Sequence, residues 1–567
     1  MTRDKTIDVA HAALQQGNYE LSEQLYREIL RQEPENPCAL DGLGILHCRK
    51  EETEAGIALF EQALLILRKE RLPNPQTNPP WEAAILFHLG LAYRTQGLRN
   101  EALRVFTESA TLAPPDHDLV LNLGQVHFEL EQYPQAAEQF RKLTTLQPDD
   151  ASAWLTLGFI LSNMEQYDEA AKILRTAETL DPTSPDINFY LAESLRKAEQ
   201  YNESLPYYQR MLQVGAEYPQ AVHGYGKTLL ALGKLEEGWD AMEFRFASSI
   251  GTWERHGLEN WVPETPAEHV LAYSEEGIGA ELMFASCLPG LINSVDHCVV
   301  ECESSLHSLF RRSFPRADFV PLADDYVRPE GNPWGIPLQS QIAFGSLPRY
   351  FRREIDDFPL RKAYLVPDKE LVAKWHTRLA GLGNAKKIGL LWNGTWTNET
   401  PKQTSLPQPE LRSLANRYRE AAWINLQHGS HQNDMNQQRG LGVTPRIFPE
   451  AFRYDLDSMA ALLVALDLVI TPPGYVSHLA GALGVKTWLL VPEGADWRHS
   501  IDASQPRSVW HPSVTMYRQA KGQTWQHFFA VLGSDLEKFL TTHRPPEEMP
   551  ATLTFTQRKT TAAPKAA

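Results

Sequence analysis

The sequence predicts an N-terminal α-solenoid followed by two α/β lobes built on parallel strands. Three observations carry that prediction. A period near 34 residues runs through positions 1–248, the length of one helix–turn–helix unit of a stacked array. Beyond position 268, short apolar strands alternate with helices in two successive runs. The chain, at 567 residues, is too long for one core.

The repeats come first. Leu-Gly pairs, or close equivalents, recur at Leu43-Gly44, Leu89-Gly90, Leu123-Gly124, Leu157-Gly158 and Leu191-Ala192. Small and aromatic residues follow in register, as with Ala55 and Phe60, Ala102 and Phe106, or Ala136 and Phe140. Gly or Ala in the first helix lets the second approach closely, and the aromatic fills the gap to the next unit. Pro34, Pro114, Pro148 and Pro182 close their units, because proline cannot donate an interior helical hydrogen bond. The first unit reads as clipped at its front, keeping Gly17, Tyr19 and Tyr26. A divergent seventh runs from Tyr225-Gly226 to about Phe246. Tandem matches of this kind define tetratricopeptide (TPR) repeats. The proline-rich stretch from Leu72 to Pro80 reads as a longer loop between the second and third units. The concave face of such arrays commonly holds a peptide or partner protein; the plainer alternative is a rigid spacer or dimerisation element, giving a homo-oligomer.

An irregular linker, 249–267, carries Trp253 and Trp261-Val262-Pro263. A strand at Val270–Tyr273, the turn Ser274-Glu275-Glu276-Gly277-Ile278-Gly279 and a helix from about Ala280 to Ile292 then open a doubly wound unit. A strand at His297–Cys302 and a helix over Ser305–Ser313 continue this lobe, 268–367. Cys298 and Cys302 share one strand face and read as core packing. The second lobe, 368–545, has strands at Ile388–Trp392, Ala422–Leu426, Leu468–Ile470 and Thr487–Val491. Its helices begin near Pro409, at Ser458 and at His478. The tail, 546–567, has the composition of a disordered segment.

A net charge of −17 disfavours non-specific binding to nucleic acid or anionic membrane. Met1 to Ala10 lacks the apolar core of a signal peptide. No apolar run reaches the roughly 18–20 residues of a membrane helix. The five cysteines are odd in number, without a CxxC pair, which fits a reducing compartment. A cytoplasmic protein is expected. Asp455-x-Asp457 precedes a helix and reads as a cap rather than a metal motif. Gly277-x-Gly279 lacks the third glycine of a dinucleotide fingerprint. No metal and no cofactor is expected.

Glu275-Glu276-Gly277-Ile278-Gly279 followed by Phe284-Ala285-Ser286-Cys287-Leu288-Pro289 resembles the opening of bacterial TPR-linked glycosyltransferases. These are distantly similar to heptosyltransferases of glycosyltransferase family 9, two Rossmann-like lobes of GT-B type. Leu466-Asp467-Leu468-Val469-Ile470, the helix His478-Leu479-Ala480-Gly481-Ala482-Leu483, Trp497-Arg498 and Trp510-His511-Pro512 resemble the donor lobe of the same family. The resemblance implies transfer of a sugar, inverting and without metal, from a nucleotide-sugar to a protein held by the repeats. A surface protein such as flagellin is one acceptor class it allows. It places the diphosphate at the N-terminus of the His478 helix, where free N–H groups and the helix dipole favour an anion.

Gly474, Tyr475, Ser477 and His478 would line that donor site, with Asn393, Gly394, Lys402, Gln427 and Trp497 around it. His478 reads equally well as a buried structural histidine. Gly277 and Gly279 would form the acceptor-side loop. Where the family places a catalytic aspartate this chain has Ala280, so Glu281 is the next candidate base, with Glu276 or Glu275 in the preceding turn as substitutes. Thr404 replaces an expected basic residue, and Pro472 and Pro473 remove backbone donors from the turn. The alternative is therefore a catalytically degenerate relative in which the repeats scaffold protein–protein interaction.

Overall fold

The structure, a computed structural model, describes residues 3–71, 80–214, 218–248, 257–264, 267–322, 335–361, 363–394, 405–427, 445–452, 456–494 and 496–542. The Leu72–Pro80 loop (save Pro80), Trp253, Lys402, Thr404, Asp455 and the 546–567 tail lie outside them. The chain divides into two units, Met1–Gly251 and Thr252–Ala567.

The described residues of the first unit form seven helix pairs: α1 (Arg3–Gln15) and α2 (Tyr19–Gln32), α3 (Pro37–Arg49) and α4 (Thr53–Arg71), α5 (Pro80–Thr95) and α6 (Arg99–Leu112), α7 (His117–Glu129) and α8 (Tyr133–Leu146), α9 (Ala151–Asn163) and α10 (Tyr167–Leu180), α11 (Pro185–Lys197) and α12 (Tyr201–Val214), α13 (Pro219–Ala231) and α14 (Leu235–Met242). The motif spacing finds its cause here. A methyl group on Gly90 would lie 2.4 Å from the Phe106 ring, and one on Gly44 2.6 Å from Phe60. The turn within each pair needs a left-handed residue, supplied by Gly17, Glu51, Gly97, Glu131, Glu165, Glu199 and Gly233. Asn36, Asp116, Asp150 and Ser184 cap the helices that follow them. The first unit is not clipped: α1 is as long as α3, though its sequence lacks the Leu-Gly signature. The core is a string of small clusters, each shared by neighbouring pairs.

First helices of successive pairs pack on one another, α3 on α5 and α9 on α11 for example, while second helices are spaced wider. The first helices therefore line the inner, concave side of the array.

The second unit holds two parallel sheets. The first has the order β1-β5-β2-β3-β4, from β1 (Glu259–Asn260), β2 (His269–Tyr273), β3 (His297–Cys302), β4 (Ala317–Pro321) and β5 (Ser340–Ala343). Leu271 stands opposite Val299 on one side and Gln341 on the other. Glu259 and Asn260, expected in the linker, pair with β5, and Trp261 behind them is buried against Tyr350 and Phe351. The second sheet runs β11-β10-β9-β6-β7-β8, from β6 (Lys387–Leu390), β7 (Ala422–Asn425), β8 (Arg446–Ile447), β9 (Leu468–Thr471), β10 (Thr487–Val491) and β11 (Val514–Arg518).

After the short α15 (Arg245–Ser248), the helices that matter are α16 (Ile278–Phe284), α17 (Leu288–Ser294) and α18 (His307–Ser313). They continue as α19 (Pro348–Phe351), α20 (Lys369–Ala380), α21 (Gln408–Arg417), α22 (Asp457–Val464), α23 (Tyr475–Ala482) and α24 (Trp525–Thr541). The single helix expected over 280–292 is two, joined by a 3-10 turn at Ala285–Cys287. Pro289 in the first turn of α17 cannot donate to a preceding helix and its ring crowds the turn before it. α22 begins at Asp457 rather than after it. Instead of capping, Asp457 pairs with Arg312 of α18.

Candidate functional site

Both sheets reverse strand order near their middle, between β2 and β5 in the first and between β6 and β9 in the second. At such a switch point the connections leave to opposite sides, and a crevice opens beyond the C-terminal strand ends. The two C-terminal edges meet. α16, which follows β2, packs against α23, which follows β9, and a methyl group on Gly279 would lie 3.7 Å from the Tyr475 Cα.

At the second switch point, Gln427 gathers the end of β6. Its Oε1 accepts from the Asn393 N–H at 3.0 Å, and its Nε2 donates to the Asn393 carbonyl at 3.1 Å. Gly474, at φ 149°, ends the β9 turn, and a methyl group there would come within 2.9 Å of the Gly394 carbonyl oxygen. Glycine is required on both counts. Among the described residues, the Gly394 backbone is what a side chain at Gly474 would meet first. Asn393 Oδ1 is buried there without a hydrogen-bond partner among the described residues.

α23 begins three residues earlier than expected, so Ser477 and His478 lie within its first turn. The Ser477 hydroxyl donates to the Gly474 carbonyl at 2.6 Å. His478 turns into a buried histidine cluster, its Nδ1 3.1 Å from His511 Nε2 and its ring stacked on His499. Burial, then the mutual repulsion of these rings, holds His478 well below the usual histidine range. Burial is also the main cause that takes His499 to about 4 and His511 to about 3. All three are neutral near pH 7. Tyr475 is 5% exposed, and Trp497 is buried beneath the Arg498 guanidinium, 4.7 Å from its ring centre.

In the first lobe, Gly277, at φ 80°, caps α16. Glu281 is 1% exposed. It accepts from the Ser274 hydroxyl and, at 3.1 Å, from the Glu303 N–H, tying the ends of β2 and β3 together. Burial pushes its carboxyl up to about 8. Both oxygens are engaged within the lobe, which suits a structural acid better than a base. Glu275 accepts from the Gly345 N–H at 2.7 Å, beyond the end of β5. Glu276 reaches the other lobe, its Oε2 2.5 Å from Arg498 Nη2.

Sequence reasoning missed how firmly the lobes join. The Tyr364 N–H and Leu365 N–H both donate to the Ala482 carbonyl, and the Tyr364 hydroxyl donates to the Leu282 carbonyl at 2.6 Å. Trp510 stands edge-on to Phe284 and Phe358. The Tyr364 ring stacks on His511 with centres 6.0 Å apart, a partner that nothing around Trp510-His511 in the sequence names.

In the repeat unit, a row of half-buried aromatics crosses the concave side. Ring centres lie 5.6 Å apart for Phe128 and Phe159, 4.9 Å for Phe159 and Tyr190, and 5.3 Å for Tyr190 and Phe189. Beyond them Glu193 accepts from Arg196 at 2.7 Å. Burial opposes its ionisation, but Arg196 and the Tyr208 hydroxyl prevail and bring it down to about 2.

The model of the tetratricopeptide repeat family matches residues 8–74, 121–185 and 155–222. The first unit is a TPR array. The chain is 28% identical over 334 residues to Protein FlbA of Caulobacter vibrioides, covering 55% of this chain and 54% of that one. It thus spans about half the length of that relative. The matched stretch is longer than Met1–Gly251, so it extends into the α/β unit. Among solved structures, YrrB, described as a TPR protein with an unusual peptide-binding site, is 19% identical, with a TM-score of 0.31, over 35% of this chain and 96% of its own. PilF of Pseudomonas aeruginosa is 20% identical, with a TM-score of 0.31, over 39% and 94%. Among the described residues no helix is long and apolar enough to cross a membrane.

Proposed function

We propose that the chain is a GT-B type glycosyltransferase whose repeats recruit a protein acceptor. One observation carries the catalytic half of this reading: two parallel sheets abut at their switch points, with α16 and α23 starting on opposite sides of the junction. Donor diphosphate would sit by the first turn of α23, beside Asn393 and Gly394. The acceptor polypeptide would lie along the Phe128–Phe159–Tyr190 row, where flat partly exposed rings bury apolar side chains at little entropic cost. An acceptor hydroxyl oxygen attacks the anomeric carbon, the bond to the diphosphate oxygen breaks with its electron pair, and Glu276 takes the proton. Glu276 replaces Glu281 in that role because Glu281 is enclosed.

A second reading has its own support. Ala280 stands at the family's aspartate position, and Tyr475 lies against Gly279 where a crevice would open. On that reading the α/β unit is inert and the repeats alone act, as a scaffold. A thermal-shift panel on the full chain separates the two. UDP-, GDP-, CMP- or ADP-linked sugars at about 100 times Kd should stabilise the α/β unit by about 2.7 kcal/mol. No shift from any of them at millimolar concentration would leave the scaffold.

A further inference from the structure

Arg498 lies on the C-terminal edge of the second sheet, shortly after β10 ends at Val491. Its guanidinium is drawn two ways. Nη1 donates to Asp496 Oδ1 at 2.7 Å, and Nη2 donates across the lobe junction to Glu276 Oε2 at 2.5 Å. The three side chains are 17–27% exposed, so water screens them only in part.

The two carboxylates are not equivalent. Asp496 is local: the same oxygen accepts from the Arg498 N–H at 3.1 Å and caps the turn Trp497–His499. Removing it would undo the turn that presents Arg498. Glu276 comes from 222 positions away, on the opposite lobe, and among the described residues it helps to hold no turn. A ligand anion could replace it without disturbing local structure. Arg498 also stands close enough to α23 to add to the suppression of His478 protonation, behind burial, His511 and His499. The positive group and the helix start expected to hold phosphate are therefore neighbours. A guanidinium matches a diphosphate well, because its planar donors engage two oxygens together.

We propose that Arg498 is the cation that receives the donor's diphosphate, and that Glu276 is its internal stand-in, occupying the guanidinium until a diphosphate displaces it. This rests on the donor-site reading above and adds a consequence to it. The carboxylate that guards Arg498 is the one assigned to take the acceptor's proton, so donor binding also releases the base.

The test is calorimetric titration of the full-length chain with inorganic pyrophosphate, UDP and ADP, comparing wild type, Glu276→Gln, Glu276→Asp and Arg498→Ala. Removing the competing charge while keeping the side chain's shape should tighten diphosphate binding about tenfold in Glu276→Gln, the scale of one modest ion pair. Glu276→Asp keeps the charge and should return affinity towards wild type, which a merely structural role for Glu276 would not do. Arg498→Ala should lose binding, and the Glu276→Gln, Arg498→Ala double variant should show no gain. Equal affinities in wild type and Glu276→Gln would overturn the proposal and leave the donor site standing. Absence of binding in wild type and in Glu276→Gln would overturn both.

Discussion

The two units differ in where their packing partners come from. In the repeat unit, Gly90 meets Phe106 within one helix pair, and Ser162 meets Ser194 in the neighbouring pair. Each contact can be inferred from a 34-residue window. In the α/β unit the decisive contacts are remote, Arg312 with Asp457, Tyr364 with Leu282 and Glu276 with Arg498. A solenoid is held by near neighbours; a pair of fused lobes is held at a junction. Damage should therefore spread differently in the two.

The largest effect expected is on the junction. Arg312→Ala leaves Asp457, 8% exposed, without its cation and frees the Val366 carbonyl that Arg312 also binds. A buried unpaired carboxylate costs about 3 kcal/mol. Hydrogen-exchange mass spectrometry should find the loss throughout the α/β unit and leave α1–α14 protected as before. A loss confined to α18 and α22 would mean that the lobes are not one cooperative body.

Acid should separate the units next. The neutral His478, His499 and His511 have folded pKa values below the ordinary 6.5, so unfolding takes up their protons as pH falls beneath 6.5. Glu281, raised to about 8, is protonated when folded and gives its proton up on unfolding, which offsets one of the three. Because the unfolded histidines are only half protonated at pH 6.5, the net uptake grows from about half a proton to nearly two, and about 1.7 kcal/mol of stability is lost between pH 6.5 and 5.5. Near pH 7 the sign reverses, because the histidine contribution fades and Glu281's remains, so stability declines from there towards pH 8. In the repeats, Glu193, brought down to about 2, loses its contribution only as pH falls below the ordinary carboxylate range; His223, lowered to about 3 chiefly by burial, adds one proton of the α/β kind. Exchange protection measured from pH 5 to 8 should fall on both sides of about pH 7 in the α/β unit. A flat profile there would remove the histidine cluster as its cause.

Gly90→Ala is the smallest test. The added methyl must displace the fully buried Phe106 ring, an overpacking cost of about 2 kcal/mol, less about 1 kcal/mol from better helix propensity. A net loss of about 1 kcal/mol, confined to α5, α6 and their neighbours in denaturant-monitored exchange, is expected. A gain would show that the recurring glycine answers to something other than helix approach.

Much of the site was partly legible. Gly277, Gly474, Gln427 and Asn393 were singled out from motif position, and the structure gathers Gly474, Gln427 and Asn393 at one switch point. Their partners were not legible. Glu281 looked like a base because it follows the Gly-Ile-Gly turn, but the Ser274 hydroxyl and Glu303 N–H that engage it are fixed by how β2 and β3 pair. The sequence allows His478 a ligand or a structural role, and His511 and His499 supply it with structural neighbours.

The sequence by itself determined the repeat period, the parallel α/β alternation and the glycines of the α/β turns, Gly277 and Gly474. These follow from local sterics and from hydrophobic spacing within a few turns of chain. Only the tertiary structure decided that α16 lies on α23, that Glu276 spends its charge on Arg498 and that Glu281 is enclosed. Burial and electrostatic pairing depend on through-space distance, and residues 222 positions apart carry no local pattern that could announce it.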